Sequence, residues 1–258
     1  MNVSDFDDAA FQSFWRSSQS ESLHTARNWS KADVSRLEWP SASRNWVVIK
    51  DMSGRPLWFR LTAGRYYLKR EFRALKALEG VEGVPRALSL LTPDILVMEW
   101  KAGTPASKLR EKGEFSTESL QKLSALLAEI HARGVTHGDL HRDNVLVEEN
   151  GAVALIDWAT ASVFKKQNSM ALNPLKMWTR REWMALDRRA VAKLKARHAP
   201  EMLDATENDL LLNGSSLSQA IRKTGYFLRR LAGKNAPSSP AEARRRLERD
   251  LAKAAKNK

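Results

Sequence analysis

His137-Gly138-Asp139-Leu140-His141-Arg142-Asp143-Asn144, followed by Val145-Leu146-Val147 and then by Val153-Ala154-Leu155-Ile156-Asp157, is the stretch that decides the fold. The two apolar runs read as short buried strands. Asn150-Gly151 between them is a two-residue turn signal, because both central positions of such a turn favour φ > 0. With those two residues as the turn, Asn144 falls opposite Asp157. Directly opposed residues have Cβ atoms roughly 4.5–5.5 Å apart, so one cation can be shared by both side chains.

Asp139, Asn144 and Asp157 together form the acid set that phosphoryl transfer needs. One carboxylate lies near an acceptor hydroxyl, and two oxygen ligands serve magnesium. The motif resembles the catalytic core of the protein-kinase-like superfamily, where the loop reads His-Arg-Asp with an asparagine five residues on. The His-Gly-Asp-Leu-His form is similar to bacterial lipopolysaccharide core sugar kinases, RIO-type kinases and aminoglycoside-phosphotransferase-like kinases. The resemblance implies that Asp139 orients or deprotonates the acceptor hydroxyl and that Asn144 and Asp157 bind Mg²⁺.

Upstream, Trp46-Val47-Val48-Ile49-Lys50 is a β-branched run ending in a lysine. Lys69 to Leu78 is helical by composition. On a helical wheel Leu68, Glu71, Phe72, Leu75 and Leu78 share one face. Glu71 is the single acid in that apolar stripe and needs a partner; Lys50 is the natural one. The resemblance assigns the same pair to the active site, with Lys50 on the ATP phosphates. Asp94 to Gly103 reads as a strand running into a hinge. By resemblance Met98 is the gatekeeper, while the Glu99 carbonyl and the Lys101 amide face the base. His141 is expected to contact phosphate.

The chain has 258 residues, 43% of them hydrophobic, enough for one large domain or two lobes. It contains no cysteine, so disulfide support is excluded. No apolar run approaches the roughly 18 residues of a membrane span. Asp5, Asp7 and Asp8 do not fit the basic-then-apolar order of a signal peptide. A cytoplasmic protein is the expectation, with a peripheral position on the inner membrane.

The net charge is +13. Residues 165–197 hold ten Lys or Arg against Glu182 and Asp187, interleaved with Met177, Trp178, Trp183 and Met184. Residues 55–76 add Arg55, Arg60, Arg65, Lys69, Arg70, Arg73 and Lys76, with Trp58, Tyr66 and Tyr67. Basic faces with aromatic side chains suit an anionic glycolipid or membrane surface. Nucleic acid is not the expected partner; a protein substrate is an alternative one.

The expected architecture is α+β, a two-lobed protein-kinase-like fold with a trimmed N-terminal lobe and a mostly helical C-terminal lobe. Residues 1–27 read as an extension, holding a helix from Asp5 to Arg16 capped by Ser4. Residues 28–98 form the N-lobe, with strands over 28–50, a mostly helical run over 56–79 with Gly64 as its candidate break, and two strands over 84–100. Residues 99–236 form the C-lobe. In it Ser116 caps a helix to Arg133, with Phe115 and Leu120 as a hydrophobic staple and Gly134 as its end. The chain after the hairpin reads as helical to about 232, and Asp187-Arg188-Arg189 as the start of the helix that buttresses the catalytic loop. Asn235 to Pro240 is a linker. Residues 237–258 form a basic helix whose capping box uses Ser239 and Glu242.

Three departures stand out. No glycine-rich phosphate loop precedes Lys50; Pro40-Ser41-Ala42-Ser43 is the turn-like candidate. Gly138 replaces the arginine that reads a phosphorylated activation loop in many protein kinases. Ala199-Pro200-Glu201 spells an activation-segment ending but follows a long helical stretch, and reads as coincidence. The expected reaction is transfer of the γ-phosphoryl group of ATP, with Mg²⁺, to a sugar hydroxyl of lipopolysaccharide core. The alternatives are an atypical bacterial Ser/Thr protein kinase, a pseudokinase binding module, and a metal hydrolase using His131, His137, His141, Asp139 and Asp143.

Overall fold

The computed structural model describes residues 6–24, 31–40, 46–109, 115–164 and 174–214. Helix α1 (Asp8–Ser17) starts at Asp7, whose side chain accepts from the Ala9 and Ala10 amides. The expected cap, Ser4, lies outside the described residues. Strands β1 (Glu21–His24), β2 (Asp33–Glu38) and β3 (Trp46–Asp51) follow. Residues 21–24, expected within an extension, are thus an edge strand. Most of the Pro40–Ser43 turn candidate lies outside the described residues. It falls between β2 and β3, whereas β1 and β2 are joined by residues 25–32.

The run from Leu57 to Ala77 is helical throughout and does not break at Gly64. Helix α2 (Leu57–Phe59) passes through a π turn (Arg60–Gly64) into α3 (Arg65–Ala77). The wider π turn brings Arg60 and Arg65 to the same side of the helix, since five residues make little more than one π turn. Both guanidiniums bind Asp94, Arg65 Nε at 2.9 Å. Asp94 lies between β4 (Ala87–Thr92) and β5 (Ile95–Glu99).

The sheet order is β1-β2-β3-β5-β4, antiparallel throughout. Val47, Val48 and Ile49 are all buried because both sheet faces are covered. One face carries Val47, Ile49 and Val97 against Phe11 of α1, ringed by Phe6, Phe14, Trp15 and Trp39. The other carries Val48, Leu96 and Met98 against Leu68 and Leu75 of α3.

The second half is mostly helical. After β6 (Thr104–Pro105), helix α4 (Thr117–Ala132) begins at Ser116, whose Oγ accepts the Ser119 amide at 3.1 Å. Phe115 and Leu120 are both buried, as the staple requires, and Gly134 takes φ 78° just beyond the helix. Strand β7 (Val135–Thr136) leads into the loop at 137–144, which ends in a 3₁₀ turn (Arg142–Asn144). The hairpin β8 (Val145–Val147) and β9 (Val153–Leu155) follows, then β10 (Ser162–Val163), which pairs with β7.

The last described elements are α5 (Pro174–His198), a 3₁₀ turn (Pro200–Met202) and α6 (Ala205–Leu212), which opens with a capping box of Asp204 and Glu207. Residues 157–164 are non-helical, so the helical stretch starts later than expected. Residues 165–173 and everything after 214, including the linker and the C-terminal helix, lie outside the described residues.

Candidate active site

The hairpin differs from its expected register. Val145 pairs with Leu155, and Val147 with Val153. Glu149, Asn150 and Gly151 form a three-residue loop, closed by the Glu148 amide on the Ala152 carbonyl. Gly151 takes φ 75°, while Asn150 is not left-handed. This is the turn-plus-bulge hairpin rather than the two-residue one. The shift places Asn144 opposite Ile156, whose amide donates to the Asn144 carbonyl at 3.0 Å. Asn144 and Asp157 are therefore not directly opposed.

Asp157 lies just past the strand end with φ 64°, the only left-handed non-glycine among the described residues. That conformation is costly outside glycine, though aspartate tolerates it better than most. The Asp157 carboxylate meets Lys50, Oδ1 to Nζ at 2.8 Å. The same Nζ donates to both oxygens of Glu71, at 2.8 and 2.9 Å. Glu71 Oε1 also accepts the Trp158 amide at 3.1 Å. Strand β3, helix α3 and the post-hairpin segment thus converge on one ammonium group.

The charges respond to this convergence. Burial works against the charge on Lys50, but Glu71 and Asp157 outweigh it and hold its pKa above the ordinary lysine value. Lys50 beside it keeps the Asp157 carboxyl below the usual aspartate range. Glu71 is fully buried, and burial pushes its carboxyl up, with Lys50 the main group pulling it back. Its negative charge therefore depends on the lysine rather than on water.

The loop at 137–144 is held from below. Asp187, in the middle of α5 rather than at its start, is buried. Its carboxylate accepts the His137 amide at 2.8 Å, the Gly138 amide at 3.0 Å and His131 Nε2 at 3.1 Å. The His137 ring lies beneath the loop, 4.7 Å from the Trp158 ring centroid, with Nε2 donating to the Ile156 carbonyl at 3.0 Å. Burial lowers its pKa below the ordinary histidine value. Asp139 is 59% exposed, with His141 Nε2 3.8 Å from its Oδ2. His141 caps the 3₁₀ turn, its Nδ1 accepting from the Asp143 amide.

Gly138 takes φ 81°, and a Cβ there would lie 2.6 Å from the Thr160 carbonyl oxygen. No side chain fits without moving that backbone, which accounts for the missing loop arginine.

Asn144 Nδ2 donates to the Asp139 carbonyl at 3.0 Å, leaving the amide oxygen as the end for a cation. Asp157 engages Lys50 and is still 51% exposed. Two hard oxygen donors suit Mg²⁺, which takes few protein ligands and leaves the rest to phosphate and water. Among the described residues no group of three or more His, Asp or Glu is placed to hold a metal. Of the residues in the hydrolase alternative, His131 is committed to Asp187 and His137 is buried under the loop, whereas His141, Asp139 and Asp143 are exposed.

At the expected hinge, Met98 is buried and pairs with Val48 across β5 and β3. The Glu99 side chain accepts the Arg86 amide at 3.1 Å and Lys101 Nζ at 3.1 Å, which ties down the strand end. Arg36 lies over Trp46 and Trp100 beside it, 4.7 and 5.3 Å from the ring centroids.

Sequence reasoning missed the role of Asp187 as the carboxylate under the loop, although it stood out as a rare acid in a basic helix. It also missed Arg70, which no local signal distinguishes from its cationic neighbours.

The RIO domain family matches residues 60–199, which spans α3, the expected hinge, the loop and all of α5. The chain belongs to the RIO-domain family, within the protein-kinase-like superfamily. It is 30% identical over 150 residues to a probable SapB synthase of Streptomyces coelicolor, covering 50% of this chain and 16% of that protein. It is 30% identical over 88 residues to the chloroplastic protein Activity of BC1 complex kinase 1 of Arabidopsis thaliana, covering 33% and 13%. It is 32% identical over 80 residues to serine/threonine-protein kinase PknD of Chlamydia trachomatis, covering 30% and 8%. The chain thus spans less than a fifth of the length of each of these relatives. The RIO-domain member has the α+β kinase-like fold, and its likeness to kinases supports ATP-dependent phosphotransfer.

Proposed function

We propose that this RIO-domain chain transfers the γ-phosphoryl group of ATP to a hydroxyl group. The observation that carries the reading is Lys50, held at once by Glu71 and Asp157. A lysine fixed by a buried glutamate and aimed at a metal-binding aspartate is the phosphate-handling arrangement of kinases.

In this reading Asn144 and Asp157 hold Mg²⁺, which when bound neutralises charge on the phosphates. Lys50 orients the phosphates, with Glu71 as its anchor. The Glu99 carbonyl and Lys101 amide meet the base, with Met98 behind it, and His141 contacts phosphate. Asp139, which is exposed, accepts the proton of the acceptor hydroxyl. The acceptor oxygen bonds to the γ-phosphorus, and the bond to the β–γ bridging oxygen breaks, releasing ADP. Catalysis is mainly positioning and charge neutralisation.

The acceptor we favour is a sugar hydroxyl of lipopolysaccharide core, reached from an anionic membrane surface. Trp58 and Trp178, in the two basic stretches, are exposed, 58% and 45%, as such a surface needs. No described helix is long and apolar enough to cross a membrane, so contact would be peripheral. A protein Ser/Thr acceptor is the second reading, favoured by the likeness to PknD. Lysate given γ-labelled ATP and the purified chain separates them. Label in glycolipid supports the first, label in protein supports the second, and label in neither rejects both. Sedimentation with anionic vesicles should fall steeply with salt, since the Debye length shrinks from about 10 Å at 0.1 M to about 3 Å at 1 M.

A further inference from the structure

Helix α3 carries two neighbouring charged residues that grip one segment from the same side. Glu71 takes the Trp158 amide, as described above. Arg70 takes the continuation of that segment. Its Nη2 donates to the Thr160 carbonyl at 2.6 Å and to Ser162 Oγ at 2.9 Å, and its Nε donates to the Ala161 carbonyl. A planar guanidinium fork holds its donors at fixed angles to consecutive acceptors, whereas the three donors of an ammonium all leave one rotatable point.

The gripped segment in turn holds the catalytic loop. Thr160 Oγ1 donates to the His137 carbonyl at 3.1 Å. Ser162 pairs with Thr136 in β10 and β7, directly before the loop. The Thr160 carbonyl that Arg70 binds is also the group that closes position 138 to any side chain. The loop therefore has no cation of its own at that position, and the helix supplies one from the opposite side.

We propose that Arg70 is a positioning residue, a permanent latch that docks residues 157–162 between α3 and the catalytic loop. It keeps Lys50, Glu71 and Asp157 assembled without a phosphorylated residue. The proposal rests on the kinase reading for its catalytic consequence, but the latch itself is a statement about structure. Loss of the guanidinium leaves two carbonyls and a hydroxyl without their charged donor, one of them on buried Ala161.

Hydrogen–deuterium exchange on the full chain without nucleotide tests the latch, comparing the unaltered protein with Arg70→Ala and Arg70→Lys. Amides of residues 158–163 should exchange about tenfold faster or more in Arg70→Ala, with β3 and β5 unchanged. Arg70→Lys should fall between, because a lysine replaces part of the fork. Unchanged exchange at 158–163 overturns the latch, and so does acceleration spread equally over β3 and β5.

Turnover of Mg·ATP to ADP supplies the second readout. Arg70→Ala should lower kcat by about tenfold or more while KM for Mg·ATP moves by less than about threefold, because Arg70 is placed on the segment rather than on the nucleotide. An unchanged kcat, or a loss entirely in KM, overturns the positioning role. Intact mass should show a fully active chain carrying no phosphate; activity that requires one overturns the phosphate-independent part. If the unaltered protein turns over no Mg·ATP, the kinase reading fails, and the exchange comparison still decides the latch.

Discussion

Asp187 in the middle of α5 accepts the backbone amide of His137 at 2.8 Å, so a carboxylate fifty residues downstream in the chain sets the height of the loop at 137–144. The adjacent Gly138 amide and the His131 ring share the same carboxylate. Asp187→Ala leaves two backbone amides and the buried His131 ring without their acceptor. The expected loss is roughly 3 kcal/mol of unfolding free energy, read by urea denaturation. A loss below about 0.5 kcal/mol would mean that the loop is held by other contacts.

Lys50 and Glu71 act as one unit in the proposed site. Lys50→Ala and Glu71→Ala should each lower Mg·ATP turnover strongly, and the double variant should be little worse than either. Removing Lys50 also takes away the main group opposing burial of Glu71 and leaves only the Trp158 amide, so the carboxyl takes up a proton more readily. Fully additive losses in a double-mutant cycle would contradict the pairing.

Asp157→Ala should abolish metal-dependent nucleotide binding while leaving the fold intact, and Mg²⁺ removal by a chelator should have the same effect on the unaltered protein. Titration calorimetry with ATP, with and without Mg²⁺, measures both. Unchanged Mg·ATP affinity in the variant would reject Asp157 as a metal ligand.

Asp94 gives a pH dependence with a definite sign. The Arg65 and Arg60 guanidiniums hold its pKa at about 2. A carboxyl depressed in the folded state contributes stability that is present above its unfolded pKa, near 4, and is lost as pH falls toward 2. Solvent at Arg65 screens the pair, so the contribution is roughly 1 kcal/mol rather than the full value of the shift. Asp94→Asn should lower stability at pH 7 by about that amount and flatten the acid limb between about pH 4 and 2. An unaltered acid limb would remove Asp94 as its source.

Gly138→Arg tests whether the loop can take the arginine that many protein kinases carry there. The left-handed backbone and the Thr160 carbonyl both oppose any Cβ there. Gly138→Ala should cost about 1–3 kcal/mol, and Gly138→Arg at least as much. Thermal unfolding reads both, and a variant as stable as the unaltered chain would show that the loop can shift.

Much of the fold was legible because local pattern reports local structure. Ser116 and Gly134 bound α4 as expected, and the apolar stripe around Glu71 faces the core. The hairpin strands were placed correctly, but their register was not. Asn150-Gly151 suits a two-residue turn and also a three-residue loop in which glycine alone is left-handed, and the sequence does not choose between them. A one-residue slip then moved Asp157 from the opposed position to the turn beyond the strand. The π turn at Arg60–Gly64 was hidden for a related reason, since the partner that draws its two arginines together is Asp94 on another element.

The sequence by itself determined which residues could do chemistry. Lys50, Glu71, Asp139, Asn144 and Asp157 could be named as candidates from their type, their spacing and the strand, helix or loop in which each lies. Only the tertiary structure decided how they are held. Asp187 under the loop, Arg70 on the segment after Asp157 and Asp94 between its two arginines are pairings across 29 to 92 residues of chain. Local periodicity carries no record of such partners, because they are chosen by which elements pack together once the chain has folded.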